Sequence, residues 1–480
     1  MEKKTPTLFV ALIPLVSMIF FLFLGIFVFE ADAHIPLLAS AVVASIVAVY
    51  LGYTWKEIEK GIIKGISLAM QALLILLILG TIISTWLAAG IVPSMIYYGL
   101  DILSPALFLP LAAIICSVVS VASGNAWTAA GTIGIAVMGV GTVLGYNPAL
   151  VAGAVISGCY FGDKISPLSE TTNMAPGVTG VQLFEHIRHM LYTTIPALLI
   201  SVLIYFFIGL FVHHNNTDTS DIESLQQQLG DLFIISPWLL IVPITVLSLI
   251  ALKVPALPGL TIGSILGCIV AVFIQGVSVS ELLGIMIYGF ELESDHLVLE
   301  NLLNNGGTEA MMYTISLVML AMSLGGILET SGILETIVTG LLKFAKSTKS
   351  LIASTVATCV TTNIIACDQY LAILLPGRMY VKAYRKQGLH PKNLSRTIED
   401  AGTMTSPLVP WNTCGAFMAA TLGVSTLQYA PFAFLCIISP LIAITYGLFD
   451  IKIEKLTEHN TSTTDEENDL FSKPAENTVI

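Results

Sequence analysis

The sequence predicts an all-α, polytopic membrane protein built from two inverted-topology repeats, with broken helices and re-entrant hairpins. Three observations predict this class. Hydrophobic residues make up 55% of the 480 residues and charged residues only 11%, whereas soluble domains carry about 25% charged residues. Similar patterns recur at a nearly constant offset in the two halves of the chain. Short polar stretches also interrupt otherwise apolar segments in each half.

The first apolar segment, residues 8–29, carries no charge. It is longer than the core of a signal peptide, and no small-residue cleavage site follows it, so we interpret it as a retained helix. The net charge of −12 is concentrated in polar segments outside the apolar runs, and it requires no basic partner and no nucleic acid. The seven cysteines lie in apolar segments without a C-x-x-C motif, which is typical of small buried residues rather than of a metal or redox site.

An internal repeat divides the chain into two halves. The matching stretches lie at offsets of 242, 238 and 240, and they are 65–70 with 307–312, 123–125 with 361–363, and 166–168 with 406–408. Three matches in the same order indicate a tandem duplication. The predicted units are a first transmembrane repeat (1–212), an extracellular linker (213–231), a second transmembrane repeat (232–450) and a disordered cytoplasmic tail (451–480).

Equivalent loops of the two halves carry opposite charge. The loop before the third helix holds Lys56, Lys60 and Lys64, whereas its counterpart at 281–310 holds six acidic residues and no Lys or Arg. Positively charged loops stay on the cytoplasmic side, so the halves should have opposite orientations. We therefore expect seven crossings per half, cytoplasmic N- and C-termini and a location in the inner (cytoplasmic) membrane. Inverted repeats of this kind are typical of secondary transporters.

Two pairs of polar interruptions predict where helices break. The first pair is 120–128 and 358–369, and the second pair, which contains Ser-Pro, is 162–173 and 402–413. Irregular backbone within a membrane survives only where it is buried in protein or lines a cavity, so we interpret the first pair as broken helices and the second as re-entrant hairpins. Two alternatives remain open: Ser, Thr and Asn can join helices by hydrogen bonds, and the second pair can form surface loops.

Few ionisable residues lie inside the apolar segments. Asp368 is the nearest to the middle of its segment, and a charge there costs about 2.5–3.5 kcal/mol on insertion scales, which makes it a functional candidate. Asp163 is the second candidate, with an ion pair to Lys164 as the structural alternative. We expect Glu399 and Asp400 to have a structural role with Arg396 or another loop cation. At the repeat offset Asp163 aligns with Thr403, and Asp368 aligns with Ala130. Neither acid therefore has an acidic counterpart in the other half, which predicts one asymmetric site with a carboxylate from each half.

At these residues the chain resembles the NhaC family of Na⁺/H⁺ antiporters, within the ion-transporter superfamily. The resemblance runs from about residue 8 to residue 450, and its most specific stretches are 160–173, 368–379 and 399–413. It departs from the family pattern at 123–127, where a Gly-Ser-Ser-Trp-like run is replaced by Ser-Gly-Asn-Ala-Trp. The resemblance implies sodium extrusion coupled to proton entry. The family also contains members that exchange malate against lactate, and the motifs do not separate the two activities.

We therefore predict a sodium-coupled secondary antiporter, with organic-acid exchange coupled to Na⁺ and H⁺ as the alternative. The predicted cation- and proton-binding residues are Asp368, Asp163, Asn363, Thr362, Ser166, Thr172, Asn173, Ser406 and Asn125. The predicted gating or supporting residues are Lys164, Glu170, Pro167, Pro407, Trp411, Asn412 and Gln369. We expect no enzymatic reaction, no cofactor and no metal other than transported Na⁺. The expected partners are Na⁺, H⁺, the lipid bilayer, small organic acids in the alternative function, and a second copy of the chain.

Overall fold

The fold is known from a computed structural model, which describes residues 3–102, 105–212, 219–292, 300 and 303–456. These residues are almost entirely helical, and their only β-type pairing consists of two isolated bridges. The all-α prediction is confirmed. The helices of the first half are α1 (Leu8–Phe23), α2 (His34–Tyr50), α3 (Trp55–Ala88), α4 (Ile91–Ile102), α5 (Phe108–Ser123), α6 (Ala126–Ala129), α7 (Ile135–Val143), α8 (Pro148–Ile165), α9 (Glu170–Thr179) and α10 (Leu183–Val212).

The second half continues the helical chain. Its helices are α11 (Thr219–Leu232), α12 (Ile241–Ala251), α13 (Ala256–Phe273), α14 (Val279–Tyr288), α15 (Thr308–Thr330), α16 (Ile333–Leu342), α17 (Thr348–Ile365), α18 (Gln369–Lys386), α19 (Pro391–Ile398), α20 (Thr413–Leu422), α21 (Thr426–Tyr429) and α22 (Phe434–Phe449). Single π-helical turns follow α1 (Leu24–Val28), α6 (Ala130–Gly134) and α19 (Glu399–Thr403). Because α6, its π-turn and α7 follow one another without a gap, they form one continuous helical segment.

Several helices are long and apolar enough to cross a membrane. In the described part of the chain six helices pass this test by length and composition, and two bent helix pairs pass it together. Large apolar side chains such as Phe9, Phe211 and Phe273 lie exposed on the outside of the protein, where lipid rather than water would cover them. The polytopic prediction is confirmed, while seven crossings per half stays a prediction.

The centre of the molecule is a close contact between α3 and α15. Gly65 lies against the backbone of Met322, and Gly80 lies against the backbone of Gly307, and neither glycine leaves room for a Cβ. Small residues at such positions let two helix backbones approach each other. The first of these contacts joins the early part of α3 to the late part of α15, and the second joins the late part of α3 to the beginning of α15. The two helices therefore run antiparallel. The two contacts are equivalent in the repeat, because Gly307 lies 242 residues after Gly65 and Met322 lies 242 residues after Gly80.

Other helix pairs repeat this reciprocal packing. Helix α3 of the first half packs on α13 of the second, and α15 of the second half packs on α2 of the first. Within the first half α5 packs on α10, and within the second half α17 packs on α22. In each half a long helix is followed by a short helix, a helix that ends at a break, and a helical hairpin. This is the arrangement that two oppositely oriented copies of one unit would give. The orientation of each half relative to a membrane stays a prediction.

The chain after α22 folds back onto the loop before α19. The backbone N–H of His390 donates to the carbonyl of Glu454 at 3.0 Å, and the N–H of Leu456 donates to the carbonyl of Gly388 at 2.8 Å. The prediction of disorder from residue 451 onward is therefore wrong for residues 451–456, because these bonds give their backbone fixed partners. Residues 457–480 lie outside the described residues. The predicted linker also lies partly outside them, and its described part forms most of α11.

Candidate functional site

The first helix break separates α5 from α6. Gly124 adopts a left-handed backbone conformation with φ of +70° and ends α5. Asn125 then caps α6, because its Oδ1 accepts hydrogen bonds from the N–H groups of Trp127 (2.9 Å) and Thr128 (3.0 Å). A side-chain cap of this kind replaces the partners that the first turn of a helix lacks. The break therefore presents a half-buried amide whose oxygen holds two N–H groups of the first turn.

The second break, between α17 and α18, has the same construction. Cys367 takes the left-handed conformation, with φ of +58°, which is uncommon for a residue other than glycine. Asp368 caps α18, because its Oδ1 accepts from the N–H of Leu371 at 2.9 Å. Asp368 thus occupies the position that Asn125 holds in the first half. The sequence comparison, which aligned Asp368 with Ala130, was five residues out of register at this point.

The third element is the end of α8 and the turn after it. Asp163 lies on the last turn of α8 and is 7% exposed. The hydroxyl of Ser169, which caps α9, donates to Asp163 Oδ1 at 2.7 Å. The hydroxyl of Thr172 donates to the carbonyls of Asp163 (2.8 Å) and Lys164 (2.9 Å). These bonds fix the Asp163 carboxylate against the beginning of α9.

These three elements meet at one cavity of about 90 Å³. Its polar lining includes Asn125, Asp163, Glu170, Thr171, Asp368 and Gln369. The opposite wall is the middle of α3, where Gln71 is the polar member of an otherwise apolar set. Both carboxylates are buried, Asp163 being 7% and Asp368 2% exposed. The structure thus places a carboxylate from each half, and the capping amide of the first half, on one small cavity.

The other predicted ligands around the second break form a structural network instead. Asn363 Nδ2 donates to the Gly402 carbonyl (2.7 Å) and to Thr405 Oγ1 (2.9 Å), and its Oδ1 accepts from Asn412 Nδ2 at 3.1 Å. The Thr362 hydroxyl donates to the carbonyl of Thr358 in its own helix. Neither Asn363 nor Thr362 lines the cavity. Asn363 joins the break to the neighbouring segments, whereas Thr362 bonds within its own helix.

Four further predicted ligands lie near the two Ser-Pro turns but do not line the cavity. The hydroxyl of Ser166 donates to the Val121 carbonyl at 2.8 Å. Ser406 donates to Gln369 Oε1 at 3.0 Å and is fully buried. Thr172 is bound to the end of α8, as described above. Asn173 is exposed, and its amide donates to the carbonyls of Pro167 and Ser169.

The supporting residues have specific partners. Glu170 accepts a hydrogen bond from the Tyr370 hydroxyl at 2.5 Å across the mouth of the cavity, while Pro167 is exposed on the preceding turn. The carbonyl of Pro407 accepts from the buried Tyr429. The indole of Trp411 donates to the Ile364 carbonyl at 2.8 Å. These contacts join the turns to the breaks, which a supporting role requires.

Lys164 does not pair with its neighbour Asp163, contrary to the alternative considered from the sequence. Its ammonium is fully buried and forms an ion pair with Asp400 and a hydrogen bond to Ser439 (2.8 Å). Adjacent residues on a helix point about 100° apart, so Lys164 leaves the face on which Asp163 lines the cavity. Asp400 does pair with a cation, as predicted, but the cation belongs to α8 rather than to a loop.

Sequence reasoning missed several residues of this site. Gln71, Thr171, Tyr370 and Cys414 line the cavity, and Glu399, assigned to a structural role with a loop cation, is fully buried one residue from the ion pair. Thr171 lies inside the 162–173 stretch already singled out as a break, and Tyr370 directly follows the 358–369 stretch, so their positions were an available signal. Gln71 carried a weaker signal, a lone amide in a long apolar helix.

Known proteins resemble this chain over most of its length. The model of the Na⁺/H⁺ antiporter family matches residues 158–451, which includes Asp163, Asp368 and both Ser-Pro turns. The chain belongs to this family. The Na⁺/H⁺ antiporter NhaC of Alkalihalophilus pseudofirmus is 40% identical over 456 residues, which cover 95% of this chain and 98% of that protein. The predicted resemblance to the NhaC family is confirmed.

Other members of the family are comparably similar. The Na⁺/H⁺ antiporter NhaC of Bacillus subtilis is 38% identical and covers 88% of this chain and 93% of its own length. A protein of the same organism named malate-2H⁺/Na⁺-lactate antiporter is also 38% identical, with 96% and 98% covered. Similarity over the whole chain therefore establishes the family, while the choice of transported species depends on the chemistry of the site.

Proposed function

We propose that this protein exchanges Na⁺ for H⁺ across the cytoplasmic membrane by alternating access. The observation that carries the proposal is the pair of buried carboxylates, Asp163 and Asp368, on one cavity of about 90 Å³. Carboxylate and amide oxygens are hard ligands that suit hard cations such as Na⁺. A carboxylate that binds a cation can instead bind a proton, so the two ions compete for the same oxygens.

The size and charge of the cavity favour a small cation. Sites for organic ligands commonly measure about 300–1,000 Å³, well above the cavity volume. Among the described residues that line it there is no Lys or Arg, and Lys164 is directed to Asp400 instead. An organic acid would need a positive group to offset its carboxylate. Organic-acid exchange remains the alternative, because one similar relative is named a malate-2H⁺/Na⁺-lactate antiporter.

The antiparallel packing of equivalent helices supports alternating access. Helices α3 and α15 form an antiparallel centre, and the site lies between the breaks of the two halves. In inverted repeats the halves exchange conformations, which opens the same site to one side and then to the other. The proposal includes oppositely oriented halves, cytoplasmic termini, association as a homodimer and no enzymatic reaction.

Transport by the purified protein tests this function. The protein is reconstituted in vesicles that contain a pH-sensitive dye, and Na⁺, malate and lactate are added separately. We expect Na⁺ alone to drive proton movement. Proton movement that requires malate or lactate would establish the organic-acid exchange instead, and an absence of movement with every addition would reject both.

A further inference from the structure

Glu399 is a buried acid that the proposed ion exchange does not yet use. It lies in the π-helical turn after α19 and is fully buried. Its Oε1 accepts a hydrogen bond from the Thr403 hydroxyl at 2.9 Å, whereas its Oε2 is buried without a partner in the described part of the chain. Lys164, a buried cation close enough to Glu399 to attract it, forms its ion pair with the neighbouring Asp400.

An ionised carboxylate in such surroundings is costly. Burial of an unpaired charge in apolar protein carries a large free-energy penalty, and a protein avoids it by keeping the group neutral or by giving it a partner. Glu399 has one hydrogen bond and no ion pair of its own. Asp400 also has one unpartnered oxygen, but the ion pair with Lys164 offsets its charge. Glu399 has no such pair, so its unpartnered oxygen points to a group that binds a proton.

A chain of hydroxyl groups connects Glu399 with the cavity. The Ser169 hydroxyl lies 2.7 Å from Asp163 Oδ1, and the hydroxyls of Ser169 and Thr171 lie 3.0 Å apart. Thr171 in turn lies close enough to the Glu399 carboxyl group to interact with it, and it also lines the cavity. Two hydrogen bonds and one further side-chain contact therefore lead from one carboxyl group to the other.

The direction of donation along this chain depends on where the proton is. When Asp163 is ionised, Ser169 donates to it, and since a serine has one hydroxyl proton, Thr171 must donate to Ser169. The oxygen of Thr171 is then free to accept from a protonated Glu399. When Asp163 holds the proton, every bond of the chain reverses. The two ends of the chain thus share one proton in this geometry.

We propose that Glu399 is a proton-binding residue that delivers its proton to Asp163 through Thr171 and Ser169. This inference rests on the proposed Na⁺/H⁺ exchange and adds a second proton site to it. In the transfer, Glu399 gives its proton to Thr171, Thr171 gives its own to Ser169, and Ser169 gives its own to Asp163. Both hydroxyls end with the number of protons they began with. Asp163 becomes neutral, and its hold on Na⁺ is lost.

The groups around Glu399 suit this role. The charged and titratable side chains that face it or its turn are Asp163 and Lys164 from α8, Cys359 from α17, Arg396 from α19 and the adjacent Asp400. Lys164 lies close enough to attract a carboxylate, so it stabilises Glu399 after its proton has left. Asp163 repels that carboxylate as long as it is itself ionised. This repulsion favours the state in which Asp163 and Glu399 together hold one proton.

Two isosteric variants test the proton site. Glu399→Gln removes the exchangeable proton, and Thr171→Val interrupts the hydroxyl chain at nearly constant volume. We expect Glu399→Gln, which lies outside the cavity lining, to bind ²²Na⁺ as the wild type does. We expect both variants to lose Na⁺-driven proton flux by about 100-fold, the order of magnitude that a positioned proton-transfer group supplies. Thr179→Val is the matched control for Thr171→Val, because the Thr179 hydroxyl is buried on the same helix and bonded to the carbonyl of Ala175.

The outcomes separate this inference from the proposed function. Wild-type protein without Na⁺-driven proton flux would reject the proposed function itself. Wild-type flux in folded Thr171→Val or Glu399→Gln would overturn the proton site and leave Na⁺/H⁺ exchange standing. Loss of ²²Na⁺ binding in parallel with flux in both variants would also overturn it, since the residues would then serve the cation site. If Glu399→Gln does not fold, wild-type flux in folded Thr171→Val still overturns the proton site.

Discussion

Asp368 combines two tasks in one side chain. One of its oxygens caps α18 through the N–H of Leu371, and the residue also lines the cavity with Asp163. Asn and Asp are about equally good caps, so the capping task does not require a charge. The charge is therefore explained by the ion that we propose to bind there, and the two tasks can be separated by one substitution.

The variant Asp368→Asn should insert and fold but show no Na⁺-dependent proton flux. Asparagine keeps the cap and one acceptor oxygen, and it removes both the negative charge and the exchangeable proton. The measurement is the dye signal per folded molecule, with folded protein quantified by gel filtration. Asp231→Asn, an exposed acid on α11, is the control and should transport normally. A structural Asp368 predicts the reverse, a low folded yield with near-normal flux from the surviving protein.

At this scale the sequence identified the acids but not their partners. Asp368 stood out because a charge deep in an apolar segment is expensive, and the argument needed no neighbour. The partner of Lys164 lies 236 residues away in the sequence, and no local pattern reports such a contact. The amides and hydroxyls were harder still, because Asn363 and Thr362 in a helix break serve equally well as ligands or as structural bonds, and only their contacts distinguish the two.

The ion pair of Lys164 with Asp400 joins the two halves of the chain at the level of whole elements. It ties the last turn of α8 to the π-turn after α19, and Thr193 of α10 and Ser439 of α22 also bond to Asp400. Breaking a buried pair by removing one partner is much more costly than replacing both partners with apolar residues. The pair therefore behaves as one structural unit.

Lys164→Met should destabilise the protein by about 3–5 kcal/mol, because it leaves the buried Asp400 carboxylate without a cation. The double variant Lys164→Met with Asp400→Leu should recover most of this loss. Thermal melting in detergent measures both effects, with Lys386→Met, an exposed cation on α18, as the control. A single and a double variant that melt at the same temperature would show that the pair is not coupled as described.

The breaks of the helices were predictable as elements, whereas their register was not. Polar runs in apolar segments located both breaks and both Ser-Pro turns. The repeat offset drifted from 242 to 238 around the first break, which paired Asn125 with Asn363. In the structure the caps Asn125 and Asp368 correspond, because each follows a residue with a positive φ. Capping geometry, rather than residue identity, defines the equivalence.

At the scale of the whole molecule, the antiparallel contact of α3 with α15 bears on topology. Equivalent helices that run antiparallel are what halves of opposite orientation would produce, and the charge contrast of equivalent loops predicts the same. The charge contrast also predicts the sides: the beginning of α3 should lie on the cytoplasmic side and the acidic segment before α15 outside. This assignment can be tested without reference to transport.

Cysteines introduced singly at Lys56 and Lys386 should react with a membrane-impermeant reagent only after the membrane is opened. Cysteines at Glu281 and Glu291 should react in intact cells, because they belong to the acidic segment. All four positions are exposed. The unmodified chain is the control, since its seven cysteines are buried or half-buried. Equal labelling of Lys56→Cys and Glu291→Cys from one side would reject the inverted repeat.

The central claim is that Na⁺ and H⁺ compete for the carboxylates of one cavity. Equilibrium binding of ²²Na⁺ to the purified protein over a range of pH tests it most directly. If one proton must leave before one Na⁺ binds, the apparent Kd for Na⁺ should fall as pH rises, by up to about tenfold per pH unit where the competing carboxylate is protonated. The dependence should level off at high pH, where no proton is left to compete. An apparent Kd that stays constant across the whole range would contradict the account.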